Sequence, residues 1–85
     1  KYMSRSRLES MIVHSRNPDI VVQLFMLYKN FWPDNIDFIF ERRSFKAIDA
    51  LWHVDKDVRM KIVETEEKNN SLYLDILDYM CGNAY

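Results

Sequence analysis

Three side chains in this chain are soft enough to hold a transition metal: His14, His53 and Cys81. No two of them stand at the spacing of a zinc motif. Asp49 and His53 are four apart and would share a helix face, where solvated side chains are the simpler reading. A cysteine–histidine dyad needs an activated thiolate and donors for an oxyanion, and nothing beside Cys81 supplies either. Asp75 and Asp78 read as charges on a wet helix face rather than as an acid/base pair. With a single glycine in the chain, no glycine-rich phosphate loop can form. These residues specify no catalytic constellation, no metal, no cofactor and no small-molecule substrate.

Charge is the other chemistry to weigh. Arg5, Arg7 and Arg16, with Arg42, Arg43 and Lys46, are the basic clusters. Gathered on one surface they would contact phosphates. Glu9, Glu41 and Asp49 lie among them, which reads as a mixed, solvated surface. The net charge of −1 gives no bulk attraction to nucleic acid or to an acidic membrane.

These side chains must be positioned by helices. Apolar residues make up 48% and aromatics 14% of the 85 residues, too rich for a disordered segment. One glycine and two prolines argue against a turn-rich β protein. A lone cysteine allows no internal disulfide and suits a reducing compartment. No run is long and apolar enough to span a membrane. A chain this short buries roughly 60–65% of its unfolded surface, a marginal core. The ends, Lys1 and Asn83-Ala84-Tyr85, carry no terminal signature, so residues 1–85 read as one helical segment from a longer protein.

The best-defined stretch is NPDIVVQLFMLYKNFWP, residues 17–33. Asn17 is an N-cap, Pro18 suits the first helical position and Asp19 faces the positive end of the dipole. Ile20, Leu24, Leu27, Tyr28 and Phe31 make an apolar stripe, with Val21, Phe25 and Trp32 beside it. Pro33 ends the helix. Upstream, a helix over 4–15 has Leu8, Met11 and Ile12 on one face. Ser4 or Ser6 caps it, and Ser6 with Glu9 has capping-box spacing. The short joint at residues 15–17 makes the two an antiparallel pair.

Downstream, residues 36–40 alternate partly and read either as a short strand or as an apolar loop. Phe45, Ile48, Leu51 and Trp52 indicate a helix near 44–52. Asp55 caps a helix over 56–68, with Val58, Met60, Ile62 and Val63 as its apolar side. Tyr73, Ile76, Leu77 and Met80 share a face of a last helix over 71–81. Gly82 then stands where a left-handed C′ residue belongs. The expected fold is all-α, built of helical hairpins.

Phe25, Tyr28, Phe31, Trp32, Phe38, Phe40, Phe45 and Trp52 crowd the centre of the chain. A small core cannot take them all, and a surplus marks an interface.

The same region resembles a known family. Leu27-Tyr28-Lys29, then Phe31, Pro33 and Ile36, is similar to a stretch of the centromere protein I family, a large helical subunit of the inner kinetochore. Arg42-Arg43, Phe45-Lys46 and Leu51-Trp52 follow in the family's order, and Arg7-Leu8 is similar to its preceding helix. The resemblance covers about residues 5–55. It implies a slice of a HEAT-type α-solenoid in the nucleus, a non-enzymatic scaffold holding centromere proteins H and K. It marks Tyr28, Lys29, Trp32, Arg42, Arg43, Phe45, Lys46 and Trp52 as candidate partner contacts, and makes direct binding of nucleic acid or membrane unexpected. The alternatives that the residues leave open are a helical interaction module of another complex and a helical nucleic-acid-binding domain.

Overall fold

Six helices follow one another in the computed structural model, which describes residues 4–82. They are α1 (Arg5–His14), α2 (Pro18–Phe31), α3 (Phe38–Glu41), α4 (Phe45–Leu51), α5 (Lys56–Lys68) and α6 (Asn70–Gly82). No strand occurs among the described residues, and the fold is all-α. The chain ends discussed above, residues 1–3 and 83–85, lie outside the described residues.

Local chemistry sets most of the boundaries. Asn17 Oδ1 accepts from the N–H groups of Asp19 and Ile20 at 2.9 and 3.4 Å, with Pro18 opening α2. Asp55 Oδ1 accepts from the Val58 N–H at 3.0 Å and starts α5. Asn69 Oδ1 accepts from the Leu72 N–H at 3.2 Å at the start of α6. At α1 the cap is Ser4, which accepts from the Arg7 N–H. The Ser6–Glu9 capping box does not form, because Ser6 already lies inside α1, and Glu9 instead accepts from Tyr28 on α2.

Two expectations need correction. Residues 36–40 are neither strand nor loop: Ile36 lies in a turn and Phe38 begins α3. Phe38, Ile39 and Phe40 are all buried in succession, which a half-buried strand with alternating faces cannot achieve. The Asp37 carbonyl accepts from the Phe40 and Glu41 N–H groups instead. Gly82 does not take the left-handed role either. It is the last helical residue, and no described glycine has positive φ.

The left-handed C′ position belongs to Arg43, at φ 51°. The Ser44 N–H donates to the Ile39 carbonyl at 2.8 Å and the Arg43 N–H to the Phe40 carbonyl at 3.0 Å, the paired bonds of a Schellman motif closing α3. Glycine is the residue this conformation favours. Arg43→Gly is therefore expected to be about 1 kcal/mol more stable than Arg43→Ala, since both lose the same side chain and only alanine keeps the strain. Urea titration of the two variants checks this.

Packing follows from which faces are buried. α1 packs on α2, α5 on α6, and α4 touches α1, α2, α3 and α6. Leu8 and Ile12 of α1, Phe38 and Ile39 of α3, Ala47, Ile48 and Leu51 of α4, and Leu72 and Ile76 of α6 are buried around Val21, Phe25 and Tyr28. The core row of α2 is thus Val21–Phe25–Tyr28, which takes Val21 and Phe25 from the second stripe of the sequence and Tyr28 from the first. Ile20 and Phe31, from the stripe that reads as primary, are exposed. In α5 the inward side is Val58 and Thr65, while Met60 and Val63 face solvent. The molecule measures 40 × 28 × 19 Å with a radius of gyration of 12.6 Å, somewhat above the roughly 12 Å of a spherical chain this long.

Candidate protein-contact surface

The fold draws the centre of the chain together on Tyr28. Its ring is fully buried and lies 4.8 Å from Phe38, 5.1 Å from Trp32 and 6.5 Å from Phe25, centroid to centroid. Its hydroxyl lies 2.5 Å from Glu9 Oε2 and 3.1 Å from the Asn35 carbonyl, both acceptors. Burial, reinforced by the hydrogen bond to Glu9, pushes the Tyr28 pKa well above its ordinary value. The hydroxyl stays protonated and ties α1, α2 and the turn before α3 to one atom.

Lys29, the next residue, ties α2 to α5. Its ammonium donates to Asp55 Oδ2 and Asp57 Oδ2, each at 2.8 Å. Burial disfavours its charge, but the two hydrogen bonds and two carboxylates outweigh that, and its pKa rises. The same contact holds the Asp57 pKa below the ordinary carboxylate value. The signs fix the working range. Asp57 contributes above the carboxylate range and loses its contribution as pH falls through its lowered pKa. Lys29 contributes below its ordinary value of 10.5 and loses its contribution as pH rises through its raised one.

The other marked residues scatter. Trp32 is half-buried against Tyr28 and Phe31. Arg42 reaches back to Glu9 at 3.7 Å. Arg43 turns the other way, pairs with Asp75 of α6 and lies 5.5 Å from the centre of the Phe45 ring. Phe45 packs on Tyr79 at 5.9 Å. Lys46 is exposed in the first turn of α4. Trp52 lies tilted against His53 at 4.1 Å and donates to Asp49 at 3.4 Å, so Asp49 is engaged by the indole. These eight residues do not form one surface. Tyr28, with no exposure, and Lys29, clamped between two carboxylates, serve internal packing rather than contact.

An apolar surface lies beside the core row of α2. Ile20, Leu24, Leu27 and Phe31 recur at i, i+4, i+7 and i+11 along one shoulder of the helix. Leu24 and Leu27 are half-buried, while Phe31 is 63% and Ile20 42% exposed. Spacing shows this stripe but cannot say which of two adjacent stripes the fold covers. An open cleft of about 330 Å³ also lies between α3 and the α5–α6 turn, floored by Phe40 and Leu72. Lys61 bridges it, 2.8 Å from Asp37 and 3.8 Å from Glu64, and the mixed charges leave it no preferred sign of ligand.

His14, His53 and Cys81 are exposed, and among the described residues no three His, Cys, Asp or Glu side chains are grouped to hold a metal. No described helix is long and apolar enough to cross a membrane. The arrangement defines a helical framework locked by buried aromatics and charged ties, with an apolar shoulder open along its best-formed helix. Compared with protein-family models, curated proteins and solved structures, the chain matches none.

Proposed function

We propose that this chain is a non-enzymatic scaffold segment that holds other proteins through the open shoulder of α2. The observation that carries the reading is the exposure of Ile20 and Phe31 at the two ends of an otherwise packed apolar stripe. Apolar side chains aligned along one helix gain by covering one another's surface with a partner. The ties of Tyr28 and Lys29 act inside the fold, so these two residues are not the contact.

The resemblance over residues 5–55 names the assembly: the inner kinetochore in the nucleus, with centromere proteins H and K as partners, and a HEAT-type α-solenoid as the parent fold. The shoulder would be where further helical structure or a partner lies. The experiment is gel filtration of the purified chain with the centromere protein H–K pair. Co-migration is expected, and it is lost in the Ile20→Ser/Phe31→Ser double variant, whose melting temperature stays within a few degrees because both side chains are exposed. Failure to co-migrate removes the kinetochore assignment. Co-migration unchanged in the double variant removes the α2 shoulder. The same shoulder would serve an interaction module of a different complex, which the first of these outcomes would favour.

A further inference from the structure

A second contact feature lies where α1 meets the end of α3. Arg5, in the first turn of α1, and Arg42, the residue that closes α3, converge on the single carboxylate of Glu9. The nitrogens stand 3.6 and 3.7 Å from its oxygens, outside hydrogen-bond range. Glu9 Oε2 already accepts the Tyr28 hydroxyl at 2.5 Å, so the carboxylate is anchored from below and is itself only 13% exposed. The two arginine side chains are 51% and 42% exposed. Two positive charges thus share one negative charge, and the N–H forks keep donors for something else.

The backbones that carry them are fixed. α1 is held by Leu8 and Ile12, both fully buried. The Arg42 N–H donates to the Phe38 carbonyl, and the next residue is locked in the Schellman turn. Both guanidinium groups stand beside the same carboxylate, and a guanidinium fork suits a carboxylate or phosphate group.

We propose that Arg5 and Arg42 form a receptor for one phosphate or carboxylate group carried on a peptide segment of a partner protein. A peptide is favoured over nucleic acid by the charge around the pair. Glu41 stands exposed beside Arg42, Glu9 lies beneath, and the chain is net negative. A single anion faces few of those carboxylates, whereas a duplex with a phosphate charge every ~1.7 Å would run across them. Of the two groups, a phosphate binds more tightly, because it carries more charge and three acceptor oxygens. This site is separate from the α2 shoulder, and each can fail alone.

The test titrates the intact chain with a short phosphoserine peptide, its glutamate counterpart, inorganic phosphate and a generic DNA duplex. Calorimetry and NMR of the arginine Nε–H groups are the readouts. Saturable peptide binding that shifts the Arg5 and Arg42 signals is expected, with the phosphopeptide tighter than the glutamate peptide. Arg5→Gln and Arg42→Gln each weaken it about tenfold. Glu9→Gln keeps an acceptor for Tyr28, removes the competing charge and tightens binding about fivefold, which a merely structural ion cluster would not do. Circular dichroism confirms that the variants fold. The proposal is overturned by absence of saturable peptide binding, by unchanged affinity in Arg42→Gln or Glu9→Gln, by inorganic phosphate binding as well as the peptide, or by the duplex binding more tightly than either peptide.

Discussion

Tyr28→Ala is expected to remove about 3–5 kcal/mol of stability, the cost of a large buried aromatic deleted from a packed core. Three rings lose a neighbour at once: Phe25, Trp32 and Phe38. Glu9 and the Asn35 carbonyl also lose the hydroxyl. For a chain of this size total stability is on the order of 5–10 kcal/mol, so the variant is barely folded at room temperature. Tyr28→Phe separates the two contributions. It keeps the rings and deletes only the hydroxyl, at about 1–2 kcal/mol. Since roughly 4–8 °C of melting temperature accompanies each kcal/mol, thermal melts of the two variants should lie about 10–20 °C apart. If alanine and phenylalanine melt together, the aromatic centre does not hold the fold.

The second large effect is at Asp55. Its Oδ1 caps α5 and its Oδ2 takes the Lys29 ammonium, all at a site where the side chain is 4% exposed. Asp55→Ala removes a cap worth about 1 kcal/mol and leaves Lys29 with only the more exposed Asp57. The combined loss should be about 2–4 kcal/mol, toward the lower side of what breaking a buried pair costs because Lys29 keeps one partner. Asp55→Asn retains a capping oxygen and should recover part of that loss. In hydrogen exchange the Asp55→Ala chain should lose protection first at the start of α5, while α1 and α2 remain protected. Uniform loss across all helices would mean that α5 is not a separately anchored element. Acid has a related effect. As pH falls through the pKa that Lys29 lowers, Asp57 is protonated, its contribution is lost, and the tie between α2 and α5 weakens.

Much of the framework was legible in local sequence. Asn17-Pro18 and Asp55 are start signals whose chemistry acts within three residues, and both do in the fold what their spacing implies. The helices around Phe45–Leu51 and Asn70–Gly82 follow from their apolar period, although α6 buries Leu72, which that period had placed off the face. What depends on tertiary neighbours was not legible. α2 has two adjacent apolar stripes, and only the arrival of α1 and α4 decides that Val21, Phe25 and Tyr28 go inward. The segment Ile36–Phe40 lacks helical length, and its burial under the other helices turns it into α3. Glu9 lies 19 residues from Tyr28, and Lys29 lies 26 from Asp55, separations at which no motif operates. The marked basic residues look like one cluster in sequence, yet Arg42 and Arg43 point to opposite partners, Glu9 on α1 and Asp75 on α6.

The proposed resemblance begins at Leu27-Tyr28-Lys29, and in the fold Tyr28 is a core residue. The functional reading therefore stands on the neighbouring shoulder, where burial cannot explain why Ile20 and Phe31 are apolar.

The most direct test is quantitative affinity capture from the native cell with mass spectrometry, comparing the wild-type chain with the Ile20→Ser/Phe31→Ser variant at matched expression. The expected result is a defined set of proteins, inner-kinetochore subunits among them, recovered with the wild type and lost with the variant. Recovery of the same proteins in the same amounts by both chains would contradict a scaffold role for the α2 shoulder.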